Sequence, residues 1–306
     1  MDKIRPYTAN RRGGYYPPDI PTENISQGVI KMVKYAVTTN IGVCEKNDDR
    51  ILVNSKMLSE GFLEGTAENG IIAAVCDGVG GYSHGDKAAE IAATTFSELA
   101  CEMFSQAEKS QSAENAENTD KSEQAKQVAN LLETAKSQIE TAIKTANNGV
   151  LTAQQADFDH QKMSTTVAGV YINGGNFIVF NVGDSRVYRY RKPYLAQLSV
   201  DHTVAEEAAQ LGLSTHETEK SAHILTRCIG DKSRCQPSVK MGENRAFLGD
   251  IFLVCSDGLS GVVDVDDMEI LLAEEISLSE KCQNLLKLAL RNGSLDNISV
   301  ILVEIE

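Results

Sequence analysis

The chain has 306 residues, of which 42% are hydrophobic and 24% charged, as in ordinary globular proteins with a sizeable core. Its 43 acidic residues outnumber its 29 basic residues, and the net charge of −14 argues against nucleic acid or an anionic membrane as the main partner. The sequence contains no apolar run of about 18 residues, which is the length that a membrane-spanning helix needs. The seven cysteines form no Cys-x-x-Cys pair, which argues against a zinc site or a disulfide framework. We therefore expect a cytoplasmic protein, with buried free thiols at Cys76 and Cys255.

The N-terminal residues 1–30 are polar, include Arg11-Arg12 and have no apolar segment of the signal-peptide kind. We interpret them as a flexible arm that precedes one domain at 31–306. In that domain, short β-branched runs between turn residues predict strands. These runs lie at 33–38, 51–54, 71–76, 187–191, 251–255 and 298–305.

Apolar residues at helical spacing predict two helices in the first half of the chain. The first covers 88–104, and the second starts near Val128 and ends at Gly149. The stripe of the second helix comprises Val128, Leu131, Leu132, Ile139 and Ile143. Between the helices, residues 105–127 contain no Leu, Ile, Val, Met or aromatic residue, so they have no face to bury and predict a mobile polar loop.

Turn and capping patterns organise the second half. Asn173-Gly174-Gly175-Asn176 lies between two strand-like runs and predicts a β-hairpin. Thr203 with Glu206 predicts a capped short helix that ends at Gly212, and Ser277 predicts the cap of a later helix. The order of strands and helices predicts an α+β fold of two packed sheets with helices outside.

Three aspartates stand where predicted strands break into loops. Asp77 and Asp257 each follow an apolar run and precede a glycine, while Asp296 precedes the last run. Carboxylates are hard ligands suited to Mg²⁺ or Mn²⁺, and a neighbouring glycine lets the backbone turn sharply and approach an ion. One Asp-Gly pair is only a common turn dipeptide, but the joint pattern predicts a shared divalent-cation site.

These segments, in this order, resemble the metal-dependent protein phosphatase family known as protein phosphatase 2C, in its bacterial form. The resemblance covers residues 31–306. The matching segments are Asn47-Asp48-Asp49, Asp77 to Gly81, Ser164-Thr165-Thr166, Asn181 to Arg186, Asp201-His202, Leu225-Thr226-Arg227 with Gly230, Ser256 to Leu259, and Asp296-Asn297-Ile298.

The resemblance implies a four-layer α/β/β/α sandwich, in which two antiparallel sheets pack face to face between antiparallel helix pairs. It implies two Mn²⁺ or Mg²⁺ ions at one end of the sandwich and a weaker third site. It also implies that residues 201–230 form a flap beside the metals. The implied metal ligands are Asp48, Asp49, Asp77, the Gly78 carbonyl, Asp184, Asp257 and Asp296.

The implied activity is hydrolysis of phosphoserine and phosphothreonine in proteins. A hydroxide that bridges the two metal ions would attack phosphorus in line, with Asp77 and Asp257 as catalytic ligands and no protein nucleophile. The resemblance implies that the substrates are phosphoproteins made by a serine/threonine kinase. We expect a monomer without nucleic-acid or membrane partners.

The sequence departs from the family at the phosphate-binding arginine, whose position is occupied by Cys44. Lys46 is a nearby substitute, but an ammonium group cannot reproduce the bidentate fork of an arginine. Asp48 is one methylene shorter than the usual glutamate, so it can reach a metal through water. His202 is expected to form structural hydrogen bonds, and Arg186 and Arg227 are expected to brace the sheets and flap through buried carboxylates.

Two other functions remain open at this point. The missing arginine favours a pseudophosphatase that binds phosphoproteins with weak or no turnover. The retained Asp77, Asp257 and Asp296 favour a working phosphatase. A structural Ca²⁺ module is a third alternative, but the chain has no EF-hand or calcium-repeat spacing.

Overall fold

The computed structural model describes residues 32–68, 70–79, 84–111, 121–156, 163–213, 215, 220–221 and 223–306. The arm predicted at 1–30 lies outside these residues. In the described part of the chain, no helix is long and apolar enough to cross a membrane.

Two six-stranded antiparallel sheets form the centre of the fold. The first sheet has the spatial order β4 (Gly61–Glu68), β1 (Met32–Asn40), β12 (Ile298–Ile305), β11 (Ile251–Cys255), β8 (Arg186–Arg191) and β9 (Tyr194–Gln197). The second has the order β10 (Ser238–Met241), β7 (Asn176–Val182), β6 (Val167–Asn173), β5 (Ile71–Cys76), β2 (Arg50–Val53) and β3 (Lys56–Leu58).

Helices cover the outer faces of the two sheets. The helices are α1 (Gly85–Gln111), α2 (Lys121–Ala156), α3 (Val204–Gln210), α4 (Asp257–Ser260), α5 (Val265–Ala273) and α6 (Leu278–Arg291). Helices α1 and α2 pack on the second sheet through residues such as Phe96 and Ile143. The C-terminal helices pack on the first sheet through Leu272 and Leu285.

A third apolar layer fills the space between the sheets. It contains Val37 and Phe252 from the first sheet and Val75 and Val170 from the second, each fully buried. Side chains along each strand point alternately into this inner layer and into a layer covered by helices. Both faces of β5 and β11 are therefore buried, which explains why their sequences are continuous apolar runs. The predicted α+β sandwich with helices outside is confirmed.

The predicted turns and caps are largely confirmed. Asn173 pairs with Asn176 across a two-residue turn, and Gly174 and Gly175 both have positive φ. The side chain of Ser277 caps α6 in a full capping box. Four strands were not predicted, namely β3, β4, β9 and β10; these are edge strands or short strands with few β-branched residues.

The bounds predicted for the polar loop at 105–127 were wrong at both ends. Helix α1 runs on to Gln111, and α2 begins at Lys121. These terminal stretches are rich in Ala, Glu, Gln and Lys, which have a high helix propensity. The absence of apolar residues therefore did not exclude a helix, and residues 112–120 lie outside the described part.

Gly149 does not end α2, as predicted, since the helix continues to Ala156. A Cβ at Gly149 would lie 2.9 Å from Cγ2 of Ile91 on α1, so the glycine permits close packing of the two helices. The predicted stripe is buried only in its later part. Ile139 and Ile143 are inaccessible, whereas Val128 and Leu131 are exposed.

Candidate metal centre

Strand register brings the acidic positions of the first sheet to one end of the sandwich. The last residue of β11, Cys255, pairs with Val300 of β12 and with Arg186 of β8. The loops that leave β11, enter β12 and enter β8 are therefore neighbours. These loops carry Asp257, Asp296 and Asp184, respectively.

The second sheet brings its acidic positions to the same end. Arg50, the first residue of β2, pairs with Cys76, the last residue of β5. Asp49 precedes β2 and Asp77 follows β5, so the two aspartates lie side by side. The acidic groups of the two sheets are close enough to interact, since the charges of Asp257 and Asp296 both raise the pKa of Asp49.

Asp49 is the most enclosed acidic group of the cluster. Its exposed fraction is 1%, and its Oδ2 atom has no hydrogen-bond partner in the described residues. Burial raises the pKa of Asp49 to about 7, with a further contribution from Asp257 and Asp296, although hydrogen bonds from Ser299 and Ser256 oppose the shift. A carboxylate in this position is stabilised by a positive charge.

Raised pKa values are also found at Asp77, Asp184 and Asp257. Burial first, and then repulsion from Asp49 and Asp257, raises the pKa of Asp77 well above its usual range. Burial and the charges of Asp257 and Asp201 raise the pKa of Asp184 to about 7. The pKa of Asp257 is raised by burial and by Asp296, and its buried Oδ1 atom lacks a hydrogen-bond partner.

The donor set fits hard divalent cations such as Mg²⁺ and Mn²⁺. It consists of carboxylate oxygens, and among the described residues one oxygen each of Asp49 and Asp257 is buried without a hydrogen-bond partner. Oxygen-only donors are the preferred ligands of these ions, and an ion would offset both the burial and the repulsion. As the described side chains stand, no group of three His, Cys, Asp or Glu residues is arranged around a common ion position.

Hydrogen bonds hold the backbone at Asp77 and Gly78. The amide of Thr166 and the hydroxyl of Thr165 both donate to the Asp77 carbonyl at 2.8 Å. A Cβ at Gly78 would lie 2.8 Å from the Asp48 carbonyl oxygen and 2.4 Å from the Gly85 carbonyl carbon. Only a glycine permits this close approach between the loop before β2 and the segment after β5.

Asn297 connects the start of β12 to the loop before β2. Its side-chain nitrogen donates to the carbonyl oxygens of Ile41 at 2.9 Å and Lys46 at 3.0 Å, and its Oδ1 accepts from the amide of Asp48 at 2.7 Å. This side chain is 4% exposed. The sequence identified Asn297 only as part of a motif, and its spacing alone did not indicate this bridging role.

Gly258 makes a second close contact with Asn297. A Cβ at Gly258 would lie only 1.9 Å from the Asn297 carbonyl oxygen. The glycine after Asp257 therefore lets the first turn of α4 pack on the segment that carries Asp296. The sequence analysis predicted a sharp turn at this glycine, and the structure adds a steric reason for it.

Lys46 lies at the edge of the acidic cluster, where the sequence analysis placed it. Its Nζ atom is 3.0 Å from Oδ1 of Asp48 and 3.1 Å from Oδ1 of Asp86. Although partial burial of Asp86 acts in the opposite direction, the hydrogen bond from Lys46 lowers the pKa of Asp86. Asp86, at the start of α1, was not identified from the sequence.

Cys44 lies beside the same cluster. Its Sγ atom donates to the Leu295 carbonyl oxygen at 3.5 Å. Burial raises the pKa of the Cys44 thiol, and the charges of Asp296, Asp48 and Asp49 raise it further. The residue at the family's arginine position is therefore a protonated thiol next to carboxylates, with no positive charge of its own.

The stem of the predicted flap is braced as expected. Arg186 donates a forked pair of hydrogen bonds to Asp201, at 2.6–3.0 Å. Nδ1 of His202 accepts from the amide of Gly183 at 3.1 Å, which is the expected structural role. The partner of Arg227 differs from expectation, because Glu207 at 3.9 Å is an exposed carboxylate and not a buried one.

A family model for protein phosphatase 2C matches residues 60–292, which is more than half of the chain. The chain belongs to this family. The family and the fold predicted from the motifs are therefore confirmed.

Relatives agree with this assignment. The serine/threonine phosphatase Stp of Listeria monocytogenes is 28% identical over 240 residues, which span 78% of this chain and 85% of that protein. A solved serine/threonine phosphatase of S. agalactiae is 27% identical, with a TM-score of 0.67 over 90% of this chain and all of that one.

A third similar structure is the catalytic domain of the phosphatase PstP in complex with two manganese ions. It is 23% identical, with a TM-score of 0.66 over 90% of this chain and 99% of that one. At this identity the similarity establishes a shared fold.

Replacing Asn297 with alanine should weaken Mn²⁺ binding by about 10- to 100-fold, as is typical when a residue that positions metal ligands is lost. The variant loses the hydrogen bonds to the carbonyl oxygens of Ile41 and Lys46, and it loses the acceptor for the amide of Asp48. Calorimetric titration with Mn²⁺ measures this change. Asn292→Ala is the matched control, because exposed Asn292 makes a single side-chain bond, to Val262. Equal Mn²⁺ affinity in both variants would contradict the positioning role.

The free energy of unfolding of metal-free protein in EDTA should fall with rising pH because of Asp49. A carboxyl group whose pKa is higher in the folded protein takes up a proton on folding. Its contribution to the free energy of unfolding is therefore lost as the pH rises from near 4, the usual carboxyl pKa, to about 7. The slope is about 1.4 kcal/mol per pH unit for one such group. Asp49→Asn should therefore gain stability relative to the wild type across this range. Urea unfolding at several pH values tests it, and parallel curves for the two proteins would refute it.

Proposed function

We propose that this chain is a metal-dependent phosphatase that hydrolyses phosphoserine and phosphothreonine in proteins. The observation that carries the proposal is the convergence of aspartates at one end of a protein phosphatase 2C fold, where one oxygen each of Asp49 and Asp257 is buried without a hydrogen-bond partner among the described residues. Relatives of similar length named serine/threonine phosphatases support the reaction class.

In this proposal, two Mn²⁺ or Mg²⁺ ions are held by Asp77, Asp257 and Asp296 together with the Gly78 carbonyl. Asp48 and Asp49 complete the set, and Asp184 with Asp257 would hold a weaker third ion. When bound, two such ions lower the pKa of water, so that hydroxide is available near neutral pH, and offset charge on phosphoryl oxygens.

The chain's own contribution is to position the ligands. Thr165 and Thr166 hold the Asp77 carbonyl, while Asn297 ties the Asp48 amide to the start of β12. The bonds to Asp77 act within the second sheet, whereas the Asn297 bond connects the two sheets and fixes ligands of one relative to ligands of the other. Rigid positioning of this kind is the main protein contribution to phosphoryl transfer.

Lys46 is proposed to attract the substrate phosphate at the edge of the acidic cluster. Its side chain is 48% exposed, and its ammonium group lies close to Asp48 and Asp86. A point charge shared with two carboxylates binds phosphate less tightly than an arginine fork. This arrangement also favours the alternative function, in which the chain binds phosphoproteins with little turnover.

A phosphothreonine peptide should be hydrolysed with Mn²⁺ or Mg²⁺ and not in EDTA. Asp77→Asn and Asp257→Asn should each lower kcat by at least about 100-fold, because each removes a negative ligand from the shared site. Phosphate release measures the rate. Glu243→Gln, on an exposed segment after β10, is the matched control and should retain activity.

Two outcomes would contradict the phosphatase proposal. One is the absence of turnover in protein that binds Mn²⁺ by calorimetry. The other is full activity in both aspartate variants. Tight binding of the phosphopeptide without turnover would favour the phosphoprotein-binding alternative.

Lys46→Met should raise KM for the phosphopeptide by about three- to tenfold and change kcat less, because a rim charge mainly affects substrate capture. Steady-state kinetics at low and high salt measure this, and the difference should shrink as salt screens the charge. Lys87→Met is the control, since exposed Lys87 pairs with Glu90 on the same helix. An unchanged KM would exclude Lys46 from phosphate binding.

A further inference from the structure

Two exposed apolar side chains lie directly beside the acidic cluster. Val43 is 69% exposed and Leu295 is 81% exposed. Leu295 immediately precedes Asp296, and Val43 lies five residues before Asp48. Single exposed apolar residues are common on protein surfaces, but a neighbouring pair next to a candidate catalytic centre suggests a contact with substrate.

The two segments that carry these side chains run alongside each other. The thiol of Cys44 donates to the Leu295 carbonyl oxygen at 3.5 Å. At Gly42, with a φ of +64°, a Cβ would lie 2.4 Å from the Asp296 carbonyl oxygen. Val43 lies between these two contact points, so the backbone of residues 42–44 is next to that of residues 295–296, and each segment carries an exposed apolar side chain. We call Val43, Cys44 and Leu295 the apolar rim.

The rim is fixed to the same scaffold as the candidate metal ligands. Asn297 donates to the Ile41 carbonyl at the start of the rim segment and accepts from the amide of Asp48 at its end. An apolar group on the rim would therefore lie at a defined place relative to a phosphate held at the acidic cluster. Ordering this surface costs little on binding, because its backbone is already held.

The surroundings of the rim indicate which residues it would accept. Exposed Glu45, exposed Asp296 and partly buried Asp48 border it, and Lys46 is shared between two carboxylates. An acidic group beside the phosphate would meet repulsion here. An apolar side chain would bury the surfaces of Val43 and Leu295 without placing a charge among these carboxylates.

We propose that the apolar rim is a substrate subsite that selects phosphoproteins with an apolar residue next to the phosphorylated serine or threonine. This inference rests on the proposed phosphatase function. An extended peptide advances about 3.3 Å per residue, so a residue one or two positions from a phosphate at the cluster reaches segments that adjoin Asp48 and Asp296 in the chain.

Phosphothreonine peptides of one length test the subsite, with both neighbours of the phosphothreonine being leucine, serine or aspartate. For the wild type, kcat/KM for the leucine peptide should exceed that for the serine peptide by about five- to tenfold, as expected for partial burial of one apolar side chain. The aspartate peptide should be the poorest substrate.

The variants Val43→Ser, Leu295→Ser and the double variant should reduce the leucine-to-serine ratio towards one. Each ratio is measured within a single protein, so a change in overall activity does not affect it. Leu248→Ser is the matched control, since Leu248 is 62% exposed and lies near the opposite end of β12, beside Gly249, which bonds to Ile305. This control should keep the wild-type ratio.

Binding of phosphonate analogues of the leucine and serine peptides, measured by calorimetry, gives a second readout that needs no turnover. If the wild type fails to hydrolyse p-nitrophenyl phosphate with Mn²⁺, the phosphatase proposal fails, and the binding ratio alone decides the subsite. A leucine-to-serine ratio near one in the wild type, or a ratio that the rim variants leave unchanged, would overturn the proposal.

Discussion

The architecture of this protein depends on holding several like charges together at one end of a β-sandwich. Asp49 and Asp77 come from the second sheet, and Asp257 comes from the first. Burial and mutual repulsion raise the pKa of all three. Such a cluster opposes folding, so the rest of the fold has to keep it in place. The apolar layers beneath it supply the stabilisation, since the strands that deliver these aspartates are almost entirely buried.

Hydrogen bonds between uncharged groups then hold the strand ends that carry the aspartates. The hydroxyl groups of Ser299 and Thr39 are hydrogen-bonded at 2.8 Å, and the Ser299 amide donates to the hydroxyl of Ser256 at 3.0 Å. These bonds join three neighbouring strand ends of the first sheet beneath the acidic cluster. Asn297 extends the same network to the loop before β2. Because polar bonds within a buried region are costly to leave unmade, this network strongly favours one arrangement of the strand ends.

The sequence predicted the strands that deliver the acidic residues because these strands are continuous apolar runs bounded by turn residues. The same physical reasoning failed at the termini of α1 and α2. Residues that bury no face carry no periodic signal, although their helix propensity is high. Gly149 was misassigned for a related reason. A glycine that ends a helix and a glycine that permits close helix packing are identical in a single sequence, and only the position of Ile91 distinguishes them.

Side chains that act through long-range contacts were the least predictable part of the site. Asn297 bonds to residues about 250 positions earlier in the chain, and Asp86 reaches Lys46 from a helix that follows a different strand. These pairings arise from the order of strands within each sheet and from packing between the sheets, which the strand pattern does not encode locally. The strand-end pattern supplied Asp296, the motif resemblance assigned Asp48 and Asp184 to the same site, and register explains why the segments that carry them are neighbours.

Carboxylates and apolar side chains surround Cys44, the position that the resemblance assigns to the family's arginine. An arginine there would stand among Asp48, Asp49 and Asp296, the carboxylates that raise the pKa of the thiol. In this chain Cys44 instead bonds to the Leu295 carbonyl, and the side chains of Val43 and Leu295 nearby are exposed and uncharged. Under the proposed function, attraction for phosphate comes chiefly from ions at the acidic cluster, and contacts beyond the phosphate gain importance for choosing the substrate. The two parts can change independently, because the ligands lie at strand ends fixed by the core, whereas the rim side chains project from that scaffold into solvent.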